Sequence, residues 1–343
     1  MMNYKMIFAM AATVLGLGLS VGYPLMAGSE EIKVLKESFR RPSQIPLTPS
    51  DNRVTEAKYY LGRQLFFDPR LSQSNMISCA SCHNPSLSWG NGLARGVGHG
   101  HAVLGRKVPT LYNAAWSTYL FWDGRAEGLE DQALGPIQAP LEMNMPLPQL
   151  VKKLGKIQGY VEQFNAVFPE AGLSAETIAK AIATYERSII SAPSRFDRWV
   201  EGDEEAISDS AKRGFVLFNG KANCVACHTG WNFTNGSFAD VGIAGANPDP
   251  NANLGRMKEP FFFKTPTLIG IHERGPYMHD GSVATLEAVI ENYDQGGVVK
   301  RHLVGVQLKK LGLSIAEKKD LISFLKALSP EDKPVSFPVL PVR

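Results

Sequence analysis

At 343 residues, with 36 basic side chains against 33 acidic ones and a formal net charge of +3, the chain is long enough for two ordinary domains and nearly electroneutral. The balance excludes the dense basic footprint of a nucleic-acid binder, and no low-complexity tract interrupts the sequence. Only four cysteines are present, and they fall in two closely spaced pairs.

Near the N-terminus stand Lys5, the apolar run Met6 to Val21 and the small-residue exit Leu25-Met26-Ala27 before Gly28. That order is the pattern of an export signal, and roughly sixteen apolar residues fall short of the ~20 needed to span a bilayer. Residues 1–27 are therefore expected to be removed and the rest to reside in the periplasm, with no membrane span after processing. No cysteine follows the cleavage position, so a lipid anchor is not expected.

Thr55 to Phe66 reads as a helix stopped by Asp68-Pro69. Cys79-Ala80-Ser81-Cys82-His83 comes next, and Cys224-Val225-Ala226-Cys227-His228 repeats the pattern later. Two cysteines at this spacing can each form a thioether to a haem vinyl group, and the adjoining histidine then comes up beneath the iron as proximal ligand. A CxxC redox pair does not require the histidine, and a four-cysteine zinc site leaves both histidines unexplained. Two covalently attached c-type haems are the reading, held by Cys79, Cys82 and His83 and by Cys224, Cys227 and His228. No cysteine remains for a structural disulfide.

Ser174 to Ile190 and Ser208 to Phe218 read as two more helices. Ser314 with Glu317 forms a capping box, after which Ile315, Ile322, Leu325 and Leu328 recur at helical spacing. Few stretches alternate as strands. The expected fold is all-α: two cytochrome c-like haem domains, rich in Gly/Pro loops, an N-terminal one over 28–204 and a C-terminal one over 205–343, with the final segment packing across both.

An internal repeat extends beyond the haem motifs. Lys107-Val108-Pro109-Thr110-Leu111 matches Lys264-Thr265-Pro266-Thr267-Leu268, and Asp123-Gly124 with Leu129-Glu130 matches Asp280-Gly281 with Leu286-Glu287, at a common offset of 157. The extra residues of the second copy are assigned to the loop Gly245 to Pro260. The chain reads as an internal duplication. At the same offset Tyr293 falls opposite Pro136. A phenolate can ligate iron, whereas proline has no side-chain donor. One haem can thus be closed and the other left open. Met278 is the rival ligand to Tyr293, since c-type cytochromes commonly take a methionine from a downstream loop.

An open ferric haem can bind peroxide, and splitting peroxide needs a group that takes its proton and returns it to the leaving oxygen. Glu142 suits the proton transfer and Gln132 suits holding the peroxide by hydrogen bonds. Trp122 stands nearby in sequence.

The run Phe121-Trp122-Asp123-Gly124-Arg125-Ala126, with Gln132 and Glu142 after it, resembles the bacterial dihaem cytochrome c peroxidase and MauG family. So does Pro276-Tyr277-Met278-His279-Asp280-Gly281-Ser282 leading to Thr285-Leu286-Glu287. The resemblance covers about residues 45 to 330. It implies a peroxidatic haem at His83, an electron-transfer haem at His228, Trp122 as relay between them, Gln132 and Glu142 as the distal pair, and Pro136 over the open iron. Ordinary members carry methionine where Tyr293 stands, whereas MauG-type members carry tyrosine. His99 matches a histidine that caps the peroxidatic iron in the classical peroxidases until the other haem is reduced, and His101 is its neighbour. Members also hold calcium between the haems through an Asn side chain and two carbonyls. The carbonyl positions map to Arg274 and Pro276, but the Asn position is Lys107, whose ammonium cannot ligate a cation. Calcium is therefore not expected here, and Lys107 either supplies the ion's charge or is a solvated lysine.

The reading is a periplasmic dihaem peroxidase that reduces hydrogen peroxide with electrons from a small cytochrome c or copper protein. The alternatives are a MauG-like oxidase that uses peroxide to modify residues of a partner protein, and an electron carrier without catalysis.

Overall fold

The computed structural model describes residues 29–46, 48–243, 256, 261–299 and 308–342; the expected export signal and all of the loop Gly245 to Pro260 except Arg256 lie outside them. Eleven α-helices are described: α1 (Ser29–Glu37), α2 (Glu56–Phe67), α3 (Cys79–Cys82), α4 (Leu129–Gln138), α5 (Leu147–Leu154), α6 (Gln158–Val167), α7 (Ala175–Glu186), α8 (Arg195–Val200), α9 (Asp209–Asn219), α10 (Leu286–Asp294) and α11 (Ile315–Ala327). The one sheet among the described residues is the two-residue pair β1 (Phe238–Ala239) and β2 (Phe263–Lys264). No helix among the described residues is long and apolar enough to cross a membrane.

The helix ends follow from side-chain chemistry. Thr55 caps α2 by accepting from the Lys58 amide, and Asp68 ends it and then caps the next short turn through Arg70. The Ser314–Glu317 capping box is formed. Helix α7 starts at its Ser174 cap but stops at Glu186, short of Ile190, because the chain tightens there: Ser188 N donates to Tyr185 O and Ile190 N to Ser188 O. Helix α4 escapes a propensity reading because Gly135 and Pro136 lie inside it.

Two helix crossings are made close by glycine. A Cβ on Gly62 of α2 would lie 1.9 Å from the Ala181 carbonyl oxygen of α7, and one on Gly214 of α9 would lie 2.1 Å from that of Asp320 in α11. Around these crossings the main core gathers Phe39, Phe66 and Tyr185 with Phe196, Phe215 and Phe324, so it runs continuously past the region Val200 to Ser208. A second cluster, including Leu65, Ile137, Tyr160 and Ile178, packs beneath α4 to α7. The end of the chain lies back on α2 and the turn after it: Gln64 Nε2 donates to Val339 O at 2.9 Å, and Arg70 to Pro341 O at 3.0 Å.

Local geometry recurs at the offset of 157. The bridge Leu120 to Ala126 is matched by Tyr277 to Val283. Asn113 and Gly270, both at positive φ, precede the matching short turns Ala114–Trp116 and Ile271–Glu273. Gly124 and Gly281 are left-handed at φ +70° and +68°, each where a side chain would strike a neighbour. Helices α4 and α10 begin at matching positions.

Candidate functional site

A cavity of about 1360 Å³, larger than the roughly 300–1,000 Å³ of an ordinary small-molecule site, is lined by both of the sequence segments that match at the offset of 157. Both CxxCH segments line it. His83 donates its Nδ1–H to the Trp89 carbonyl at 3.1 Å, and His228 donates to Phe233 at 2.9 Å. Each bond fixes the tautomer and leaves Nε2 as the free lone pair, which is how a metal-ligating histidine is held. Burial drives both imidazoles down to about 4, against the opposing carbonyls of Trp89 and Pro109 at one and of Phe233 and Pro266 at the other. Both histidines are thus neutral at pH 7, as iron ligation requires. Pro109 and Pro266 occupy matching places in the repeat, so the repeated segments are those that back the two histidines.

The thiols do not suit redox exchange. Burial pushes Cys82 up to about 11 and Cys224 to about 12, and raises Cys79 and Cys227 as well, whereas a reactive CxxC pair needs a depressed thiol. Neither pair forms a disulfide.

Around the first motif, α4 presents Gln132 and Pro136 to the cavity at i and i+4, on one face of the helix. Its C-terminus folds back: Glu142 N donates to Ala139 O at 3.0 Å and Met143 N to Pro136 O at 3.1 Å. This turn brings Glu142 to the same wall as Gln132 and Pro136. Burial raises the Glu142 carboxyl, Arg125 opposes that shift, and the field of Glu142 reaches the Cys82 thiol. Arg125 lies over the Phe121 ring and pairs with Asp123, which also holds Arg106.

His99 is placed differently. Its ring is not among the cavity-lining residues, and Nδ1 is buried without a partner, while its peptide N–H donates to the carbonyls of Leu141 and Glu142. His101 sits two residues on in the same short turn.

Around the second motif, α10 carries Tyr293 into the cavity. Its phenol is raised by burial first and then by the Cys224 and Cys227 thiols, which places its hydroxyl beside the second attachment site. Met278, at φ +71°, also lines the cavity and packs on the main core. Trp122 stands between the two sites. Its Nε1–H donates to Lys107 O at 2.8 Å, and its own carbonyl accepts from Lys264 N at 2.7 Å.

The lining also contains charged side chains whose burial the sequence did not show: Glu186, which belongs to no motif, and Arg274 and Lys264, marked there only as a carbonyl position and a repeat position. Glu186 is buried with Oε2 unpartnered and is pushed to about 8 by burial; its field reaches Cys79. Arg274 Nε is likewise buried without a partner, and the Lys264 ammonium faces the cavity. Lys264 and Arg274 are the cationic lining that a tetrapyrrole with ionised carboxylates requires, and with the two prepared histidines they fit a pair of haems.

Residues 56–205 match the family model described as di-haem cytochrome c peroxidase. The methylamine utilization protein MauG of Methylorubrum extorquens is 44% identical over 92% of this chain and 90% of its own length. The cytochrome c551 peroxidase of Nitrosomonas europaea is 33% identical over 92% and 89%. The chain belongs to the di-haem cytochrome c peroxidase family. Membership implies two c-type haems, at the two motifs described. Among solved structures, a MauG-like protein associated with microbial copper homeostasis superposes with a TM-score of 0.76 and 32% identity, covering 85% of this chain and 95% of that one.

Proposed function

We propose that this family member is a periplasmic dihaem peroxidase that converts H2O2, two electrons and two protons to two molecules of water. The observation that carries the reading is the shared wall of Gln132, Pro136 and Glu142 above the first haem motif. When bound, the haems supply the redox chemistry, with peroxide reduced at the His83 site and electrons delivered through the His228 site. Glu142 accepts a proton from peroxide and returns it to the departing oxygen; its raised affinity for protons brings it closer to working pH. Gln132 orients peroxide through its amide. Pro136 offers no side-chain donor and keeps the position next to it free. Trp122, fixed by its bond to Lys107 O, bridges the two sites as the electron relay. His99 acts on this reading through the Glu142 segment, which its backbone holds; capping of the first iron requires its ring to move into the cavity.

The recurring geometry supports a duplicated cytochrome module, divided near residue 204, with residues 1–27 as the export signal. The electron donor is a small cytochrome c or copper protein. Steady-state assay with reduced cytochrome c tests this: two donors oxidised per peroxide is expected, and absence of turnover in both the oxidised and the half-reduced enzyme removes the proposal.

Tyr293 favours a second reading, in which the electrons come from residues of a partner protein, as a MauG-like oxidase would take them. An anionic phenolate stabilises oxidised iron, where a thioether would favour reduced iron. Peroxide-dependent modification of a co-purifying protein, with no oxidation of cytochrome c, would select this branch.

A further inference from the structure

Lys107, Lys264 and Arg274 line the cavity and form no ion pair among the described residues; the same holds of Arg95, Lys309 and Lys310, of which Lys309 and Lys310 are exposed. Lys107 Nζ donates to Leu93 O at 3.0 Å. Arg274 Nη2 donates to Thr267 O at 2.6 Å, leaving Nε buried and unpartnered. Lys264 Nζ has no hydrogen bond among the described residues, and none of the three is in an ion pair among them. Arg106 and Arg125 of the same wall differ, since both pair with the Asp123 carboxylate. The Glu273 carboxylate is felt at Arg274 but forms no ion pair with it, and its Oε2 accepts from Ser88 Oγ at 2.8 Å.

Unpaired cations taken out of water are costly unless an anion meets them. Burial lowers Lys107 and Lys264 to about 8 and Arg274 to about 10, and Arg274 further depresses Lys107. The anions that the cavity is built to admit are haem propionates. A divalent cation would face the opposite problem: it needs six to eight oxygen ligands for calcium, and here it would meet a lysine and an arginine.

We propose that Lys107 and Arg274, with Lys264 reached from Lys107 through Trp122, form a built-in cationic lining that binds haem propionates between the two haem sites and takes the place there of a bound divalent cation. The proposal rests on the two-haem reading. It also reaches the relay residue, because the backbones of both lysines hold Trp122, one accepting from its indole and one donating to its carbonyl.

The test uses the holoprotein and reads potential and metal content rather than turnover. Removing a positive charge beside a haem favours the ferric form. Lys264→Gln and Lys107→Gln should each shift the ferric–ferrous equilibrium of at least one haem about tenfold, ~59 mV downward for one electron. Lys264→Arg and Lys107→Arg should leave both potentials near those of the parent. The parent should carry no stoichiometric calcium, and chelator should change neither its spectra nor its potentials. Unchanged potentials in the Gln variants, or a calcium ion whose removal alters the haem spectra, overturns the proposal. If the Gln variants fail to fold, the chelator and metal-content arms decide. A purified chain without two c-type haem absorption bands would instead overturn the haem reading itself.

Discussion

The peptide N–H of His99 donates to the carbonyl of Glu142 at 2.8 Å, so the segment with the conditional iron ligand also holds the segment with the proposed proton carrier. The approach depends on Gly98, where a Cβ would lie 2.0 Å from Leu141 O and 2.9 Å from Glu142 Cα. Gly98→Ala must push the Glu142 turn away. A displacement of about 1 Å at a reacting group can cost on the order of 10²-fold. Peroxide turnover should fall by about that factor with both c-type haem spectra retained; full turnover would show that the contact does not position Glu142.

Glu142→Gln keeps the shape of the side chain and removes its proton chemistry. Turnover should drop about 10²–10⁴-fold while the haem spectra stay as they are. Burial holds the carboxyl above its usual range and Arg125 pulls it back. A base must be ionised, so the acid limb of kcat/KM should lie above the ordinary carboxylate value. Arg125→Gln should move that limb higher still, and a limb that stays in place would detach Arg125 from the site.

The second haem offers a spectroscopic test. Tyr293→Met replaces a phenolate by a thioether and should raise that haem's reduction potential, leaving the first haem's spectrum unaltered. Met278→Leu should change neither spectrum. If Met278→Leu alters the second haem and Tyr293→Met does not, the two ligands exchange roles.

Glu186 predicts a pH dependence of stability. Its folded pKa, pushed to about 8, lies above the roughly 4.3 of an unfolded glutamate, so the folded state holds the proton more tightly. The associated stability is fully present below the unfolded value and is lost as pH rises through about 8. Denaturation midpoints from pH 5 to 9 should therefore decline relative to Glu186→Gln. Parallel curves for the two proteins would mean that the carboxyl is neutralised by a partner formed in the holoprotein.

What could be read in advance was whatever chemistry or spacing confines to a short stretch. The CxxCH motifs are local because two thioethers and one axial bond must converge on a single ring. Thr55, Ser174, Ser208 and Ser314 announced helices because a cap is a contact over three residues. The match of Lys107-Val108-Pro109 with Lys264-Thr265-Pro266 was visible, but its purpose was not: only the fold shows Pro109 and Pro266 behind the two histidines and the lysine backbones on Trp122. Helix α4 was hidden by Gly135 and Pro136, whose propensities oppose a helix that packing against α7 maintains. Glu186 looked like an ordinary charged residue, and Lys264 and Arg274 stood out only as a repeat position and a carbonyl position, because burial of their side chains is a property of the whole chain.

The main core joins Phe39, Phe66 and Tyr185 to Phe196, Phe215 and Phe324 without a seam. Separating these two sets of residues would bare aromatic surface on both. Heat and denaturant should therefore act on the protein as one cooperative unit, and damage beside either motif will register as a loss of the whole molecule.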